Sequence, residues 1–168
     1  MATISQKLIA KYGNPKNTTK NPKNQANFEA KWLTNWVYPA DIAAAIPSIG
    51  RSLYCHKDLV PVLTKFYREL IKRGLHKEIH TQDQCFCVRM IRGSETELSI
   101  HSFALAIDLN PDDNPLGLDR DQAKAKGLKP FTPAFQQCAH DCGLLPGYSF
   151  RRCDGMHFEA TLQYYAAK

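Results

Sequence analysis

The stretch SIHSFALAIDLNPDDN, residues 99–114, holds an apolar run that ends on a carboxylate. The five residues before Asp108 are all apolar. An unpaired charge in apolar surroundings is costly, so a buried Asp108 needs a cation or several hydrogen bonds. Alternation along a strand over 104–109 places Ala104, Ala106 and Asp108 on one face. Because two of these side chains are small, the pattern predicts open space in front of the carboxylate.

A second polar stretch, RCDGMHFE at residues 152–159, follows near the end of the chain. Alternation on a strand puts His157 and Glu159 on one face. Asp154 lies three positions before His157, an odd separation that would point the two apart in a regular strand. Gly155 lets the backbone bend, so that both can face one site.

The two stretches together supply a set of metal-binding side chains. His101 stands in a turn-prone segment and can fold back toward Asp108. With His157, they make two imidazoles and a carboxylate, a zinc set with an open position for water. Asp154 is then the acid that takes a proton from that water. Alone, each histidine is an ordinary histidine and each aspartate a cap or turn residue; their co-occurrence favours the metal site.

These motifs resemble those of the zinc D-alanyl-D-alanine carboxypeptidase and L-alanyl-D-glutamate endopeptidase family, which cleaves peptidoglycan stem peptides. The family motif S-x-H-x-x-G-x-A-x-D is matched at four positions: Ser99, His101, Ala106 and Asp108. The second motif, an acidic residue, two spacers and H-F/W-E, is matched by Asp154, His157, Phe158 and Glu159.

The resemblance implies a role for each of these residues. His101, Asp108 and His157 would bind zinc, and Asp154 would be the general base. Arg89 would bind substrate or stabilise an oxyanion, although pairing with a carboxylate explains it equally well. The resemblance also implies a fold of the DD-peptidase and Hedgehog type.

The chain departs from the family pattern at two places. Ala104 stands where the family has glycine. In the segment 144–150, relatives tend to carry a tryptophan, paired glycines and a second tryptophan, whereas this chain has Pro146 and Phe150 at the tryptophan positions. These changes leave the expected zinc ligands unchanged, but they alter the residues expected to line the substrate-binding site.

Hydrophobic periodicity predicts an α+β fold with a small antiparallel sheet carrying the zinc site, flanked by helices. The predicted helices cover 28–37, 40–46, 58–73 and 131–142, and the predicted strands cover 84–92, 104–109 and 155–160. A polar, Asn- and Lys-rich loop is expected at about 11–27. With 168 residues, the chain is expected to form a single domain over 1–168 and to be a monomer.

The composition limits the classes of partner that the chain is expected to bind. The net charge of +6 favours anionic partners, such as nucleic acid, phosphate-rich envelope polymers or a membrane surface. No nucleic-acid module is recognisable, and no apolar run is long enough to span a bilayer. The six cysteines are expected to be free thiols, and a zinc knuckle using 85–87 or 138–142 is a minor alternative because the spacing differs from Cys-x2-Cys.

The resemblance implies a zinc metallopeptidase that hydrolyses peptidoglycan stem peptides. An aspartate at the base position favours an L-alanyl-D-glutamate endopeptidase of the bacteriophage endolysin type. The alternatives are a D-alanyl-D-alanine carboxypeptidase and a catalytically silent virion structural or binding protein. Without a signal peptide, such a protein is expected to be made in the host cytoplasm and to reach the wall through a holin-type partner or from the virion.

Overall fold

The computed structural model describes residues 2–83 and 85–160. Within these residues, the chain forms six α-helices and five short β-strands. In chain order, they are α1 (Ile4–Tyr12), α2 (Asn24–Trp32), β1 (Leu33–Val37), α3 (Ala40–Ala45), β2 (Ser52–His56), α4 (Leu59–Lys72), β3 (Ala106–Asp108), α5 (Arg120–Ala125), α6 (Pro133–Asp141), β4 (Leu145–Pro146) and β5 (His157–Glu159). The predicted α+β class with small antiparallel sheets is confirmed.

The first sheet is a two-stranded hairpin of β1 and β2, and it corrects the helix predicted over 28–37. The helix ends at Trp32, and the chain continues as β1, antiparallel to β2, with Leu33 opposite His56. The periodicity of Phe28 and Trp32 was helical, but pairing with β2 overrides it from Leu33 onward, because strand formation depends on a partner.

The long helix α4 supplies the central apolar face of the molecule. It buries Leu59, Leu63, Phe66, Tyr67 and Leu70. The helix ends one residue before Arg73, and Gly74 follows in a left-handed conformation with φ +71°. Asp58 stands at the N-cap position but its side chain makes no capping hydrogen bond; it accepts a hydrogen bond from the Tyr12 hydroxyl at 2.6 Å.

The second sheet has the order β3-β5-β4, and every pairing in it is antiparallel. Its core-facing side includes Phe158, which packs against three other phenylalanines. These are Phe66, Phe131 and Phe135. The alternation predicted for residues 155–160 is therefore confirmed, since Phe158 faces the core while His157 and Glu159 share the other face of the strand.

The strand predicted over 84–92 is wrong for the described part of that segment; Gln84 lies outside the described residues. Residues 85–89 form no helix or strand, and the one bridge of the segment 85–90 joins Met90 to Leu98. The Cys87 N–H donates to the carbonyl of His101, and the Arg89 N–H donates to the Ser102 hydroxyl. The neighbour of the segment is thus a 3₁₀ turn, Ile100–Phe103, which cannot offer the regular ladder of a strand.

The other predicted elements lie close to the observed ones. Helices α3, α4 and α6 begin and end within two residues of prediction, while α1, α5, β2 and β4 were not predicted. In the described ranges, no helix has the length and apolar content needed to cross a membrane.

Candidate metal centre

Three side chains that are distant in sequence meet at the end of the β3–β5 pair. His101 Nε2 lies 3.1 Å from His157 Nδ1 and 3.3 Å from Asp108 Oδ1. The distance from His157 Nδ1 to Asp108 Oδ1 is 3.1 Å. His101 and His157 are almost fully buried. Among the described residues, they form the group of His, Cys, Asp or Glu side chains able to hold a metal ion.

The backbone explains why these three side chains converge. Asp108 and His157 are direct partners in the antiparallel register of β3 and β5, so their side chains stand side by side. His101 lies in the 3₁₀ turn just before β3. Ala104 ends that turn at φ 52° and ψ 36°, a left-handed conformation that reverses the chain into the strand.

The position of Ala104 also accounts for the family glycine at this point of the motif. Glycine adopts positive φ without a steric penalty, whereas alanine in this region costs about 1–2 kcal/mol. The methyl group of Ala104 is fully buried, so packing offsets part of that cost. The departure therefore affects the turn that presents His101 and not the metal-facing atoms.

The second nitrogen of each imidazole is held by an acceptor outside the cluster. His101 Nδ1 lies 3.0 Å from the carbonyl of Cys85, and His157 Nε2 lies 3.0 Å from Glu159 Oε2. A carbonyl or carboxylate accepts, so these nitrogens carry the protons. In the neutral imidazoles, the nitrogens that face Asp108 would then carry lone pairs, the arrangement found in metal-binding histidines.

The spacing of the three facing atoms fits zinc. Zinc–nitrogen and zinc–oxygen bonds of about 2.0–2.1 Å in tetrahedral geometry place neighbouring ligand atoms about 3.3 Å apart. The observed separations are 3.1, 3.1 and 3.3 Å. Three protein ligands leave a fourth position open, which is the pattern of catalytic rather than structural zinc sites.

The charges of the cluster favour a cation between the three facing atoms of His101, Asp108 and His157. Burial lowers the pKa of His157, but hydrogen bonds to Asp108 and Glu159 outweigh it and raise the pKa to about 10. Burial raises the pKa of Asp108, but hydrogen bonds from His101 and His157 outweigh it and bring the pKa below its usual range. Without a metal, the cluster therefore holds a proton in the place where a metal would supply the positive charge.

Asp154 lies beside the cluster with an unused carboxylate oxygen. Its Oδ1 is buried and has no hydrogen-bond partner among the described residues. Burial raises the pKa of Asp154, and the nearby His157 lowers it in part. A buried, partly desolvated carboxylate with a free oxygen is suited to accept a proton.

Two glycines shape the loop that carries Asp154. Gly155 lies in a turn closed by the hydrogen bond from the His157 N–H to the Asp154 carbonyl at 3.1 Å, so the chain bends there as predicted, with φ outside the left-handed region. A Cβ there would lie 2.7 Å from the ring of Tyr148, so the glycine provides space. Gly147 was not predicted to matter, yet a Cβ on it would lie 2.4 Å from the Asp154 carbonyl oxygen and 3.1 Å from the Cβ of His157.

Arg89 is exposed, and its positive charge lies close enough to lower the pKa of Asp154 slightly. Its backbone is fixed by Ser102 and Ser99. Within the described part of the chain, its guanidinium forms no ion pair, so the carboxylate-pairing alternative finds no support there.

None of the cysteine thiols in the described residues belongs to the candidate metal centre. All six are free thiols, as expected. Cys55, Cys85, Cys138 and Cys142 are buried, and burial raises the pKa of each. Across residues 2–83 and 85–160, the metal-binding group includes no cysteine, so the zinc-knuckle alternative finds no support.

The chain was also compared with models of protein families. Residues 92–160 match the family model described as D-alanyl-D-alanine carboxypeptidase. The matched segment contains His101, Asp108, Asp154 and His157, whereas Arg89 lies just before it. No curated protein and no solved structure matched the chain.

The family match supports two statements. The matched segment is similar to a peptidase family, and the small sheet with flanking helices agrees with a DD-peptidase-type fold. The residues that sequence reasoning missed are the Cys85 carbonyl, Gly147 and Tyr148. No motif marks them, because they act through the backbone or through packing across the fold.

Proposed function

We propose that the protein is a zinc-dependent peptidase that hydrolyses peptidoglycan stem peptides, and that it is an L-alanyl-D-glutamate endopeptidase of the bacteriophage endolysin type. The observation that carries the proposal is the convergence of His101, Asp108 and His157 at tetrahedral ligand spacing beside the unpartnered Asp154. The family match supports a peptidase that acts on peptidoglycan, and the site supports metal-assisted hydrolysis.

His101 Nε2, His157 Nδ1 and Asp108 Oδ1 would hold the metal. Bound zinc polarises a carbonyl and lowers the pKa of a water ligand to about 7. Asp154 Oδ1 accepts the proton of the attacking water and passes it to the leaving amine. The guanidinium of Arg89 stabilises the negative charge that develops on the substrate carbonyl or holds a substrate carboxylate.

The bond cleaved is inferred from the base. An aspartate at position 154 resembles the endopeptidase branch, whereas carboxypeptidase branches carry glutamate, whose side chain is one methylene longer. Because the loop at 144–150 departs from the family pattern, two alternative functions are kept. A D-alanyl-D-alanine carboxypeptidase would use the same atoms on a terminal residue, and a silent virion structural or binding protein would keep the fold without turnover.

The positive charge favours action at the cell wall. A net charge of +6 would draw the protein toward an anionic envelope, an effect that weakens as salt screens it. In this proposal, the protein works as a monomer and reaches the wall by holin release or from the virion.

The test is mass spectrometry of purified peptidoglycan incubated with wild type, Asp154→Asn and Asp112→Asn. Asp112 is exposed, so Asp112→Asn is the matched control. We expect wild type and the control to release fragments with a new N-terminal D-glutamate, and Asp154→Asn to bind zinc but to lose at least about 100-fold in rate. Loss of terminal D-alanine alone would establish the carboxypeptidase. A folded, zinc-loaded wild type without any product would establish the silent protein.

A further inference from the structure

Tyr148 lies in the altered loop and contacts both halves of the candidate site. Its phenol lies against the backbone of Gly155, where a Cβ would be 2.7 Å from Cζ and 2.9 Å from the hydroxyl oxygen. Gly155 directly follows Asp154. Any movement of the ring is therefore passed to the backbone next to the carboxylate, because close-packed groups transmit displacement.

The hydroxyl of Tyr148 is tied to a buried amide. It donates to Asn114 Oδ1 at 3.1 Å, and the same oxygen accepts the Phe131 N–H at 3.0 Å. Asn114 Nδ2 donates to the carbonyl of Asn110 at 3.0 Å. Asn110 and Asn114 are 2% and 1% exposed, so water does not compete for these bonds.

This chain of contacts joins the end of β3 to the loop that carries Asp154. Asn110 stands two residues after Asp108, and its side chain accepts the N–H groups of His80 and Thr81 at 2.8 and 3.0 Å. Tyr148 links this fixed strand end to the loop carrying Asp154. The contacts therefore run from Asn110, two residues after Asp108, to Gly155, the residue after Asp154.

The phenol ring of Tyr148 also contacts Arg120. The guanidinium carbon lies 5.1 Å from the ring centroid, within cation–π distance. Arg120 is itself fixed, because its Nε donates to the Phe131 carbonyl at 2.9 Å and its Nη2 donates to Gln136 Oε1 at 2.8 Å. The ring is thus in contact with both a fixed cation and the Gly155 backbone.

We propose that Tyr148 is a positioning residue that holds the Asp154 carboxylate at the open side of the metal cluster, through its contact with Gly155 and its hydrogen bond to Asn114. The proposal rests on the proposed function for its kinetic consequence. It assigns Tyr148 no contact with the reacting atoms. His157 depends on Tyr148 much less, because β5 pairs with β3 and fixes the histidine independently.

The test compares Tyr148→Phe, Tyr148→Ala and the control Tyr54→Phe. Tyr54 is on the β1–β2 hairpin and donates to Glu29 Oε2 at 2.9 Å, so the control also loses one tyrosine–oxygen hydrogen bond. The readout that needs no activity is alkylation of Cys153, the half-buried residue before Asp154, measured by peptide mass spectrometry against the exposed Cys87. The second readout is the split between kcat and KM on muropeptides, and the third is zinc affinity.

We expect Tyr148→Ala to raise the Cys153/Cys87 alkylation ratio about tenfold and to lower kcat by about 100-fold, the loss expected when a reacting group moves by about 1 Å. Tyr148→Phe keeps the ring, so it should raise the alkylation ratio about fivefold and lower kcat about fivefold. KM and zinc affinity should stay within about threefold, and Tyr54→Phe should match wild type.

An unchanged alkylation ratio in Tyr148→Phe, with or without a folded Tyr148→Ala, would overturn the proposal. A loss of zinc affinity equal to the loss of kcat would also overturn it, since Tyr148 would then support the metal ligands and not the base. If wild type hydrolyses nothing, the proposed function fails, while the alkylation ratio still decides whether Tyr148 holds the loop.

Discussion

Glu159→Gln is the sharpest test of how the candidate metal centre is built. Glu159 Oε2 accepts the Nε2 proton of His157 at 3.0 Å, and the two side chains are 6% and 8% exposed. Glutamine keeps an oxygen acceptor of the same reach, so the imidazole can keep its tautomer. The substitution therefore removes mainly the negative charge that makes His157 Nδ1 a stronger donor to a cation.

The expected cost is a 10- to 100-fold weaker zinc affinity, the range seen when an outer partner of a metal-binding histidine is changed. This corresponds to about 1.4–2.8 kcal/mol. The low exposure of both side chains places the effect toward the upper end, because water screens little of the lost charge.

The assay is competition for zinc between the metal-free protein and a chromophoric chelator at fixed pH. Glu95→Gln is the matched control, since Glu95 is exposed and far from any imidazole hydrogen bond in the described structure. A zinc affinity for Glu159→Gln within about twofold of wild type, with His157→Ala unable to bind, would refute the reasoning that Glu159 strengthens the ligand.

Three further predictions follow from the same geometry. Zinc at 100 times its dissociation constant should stabilise the fold by about 2.7 kcal/mol and raise Tm by roughly 5–11 °C in calorimetry, and His101→Ala should abolish the shift. Gly147→Ala should destabilise the protein by about 1–3 kcal/mol in denaturant titration, because a Cβ would lie 2.4 Å from the Asp154 carbonyl oxygen; an unchanged midpoint would contradict this. In the metal-free protein, the raised pKa of His157 contributes to the free energy of unfolding. This contribution is complete below about pH 6.5 and is lost as pH rises through about 10. The free energy of unfolding should therefore fall over that window in wild type and stay flatter in His157→Ala.

Much of the site was predictable because its residues lie in short motifs with strand alternation. Asp108 after an apolar run signals a carboxylate brought to the edge of a core, and His157 and Glu159 share a face by periodicity alone. The α+β class and three of the helices also followed from periodicity. The assignments of His101, Asp108 and His157 to zinc, and of Asp154 and Arg89 to catalysis, stay predictions that metal analysis and kinetics will test.

The two wrong predictions of secondary structure have a common physical origin, which is pairing between segments distant in sequence. The segment after Trp32 looked helical by its own spacing, yet it became β1 because β2 was available as a partner. The stretch 85–90 alternates like a strand, but it lies against a 3₁₀ turn and gains no ladder. Neither partner can be inferred from the local pattern.

The amino-acid sequence by itself determined the kinds of side chain available for chemistry and the strand faces on which most of them lie, because motif spacing and two-residue periodicity are local properties. Only the tertiary structure decided that three facing ligand atoms stand 3.1–3.3 Å apart, that Ala104 takes a left-handed turn, and that Gly155 makes room for Tyr148. Those features depend on which distant segments pack together, and packing is settled by the whole core at once.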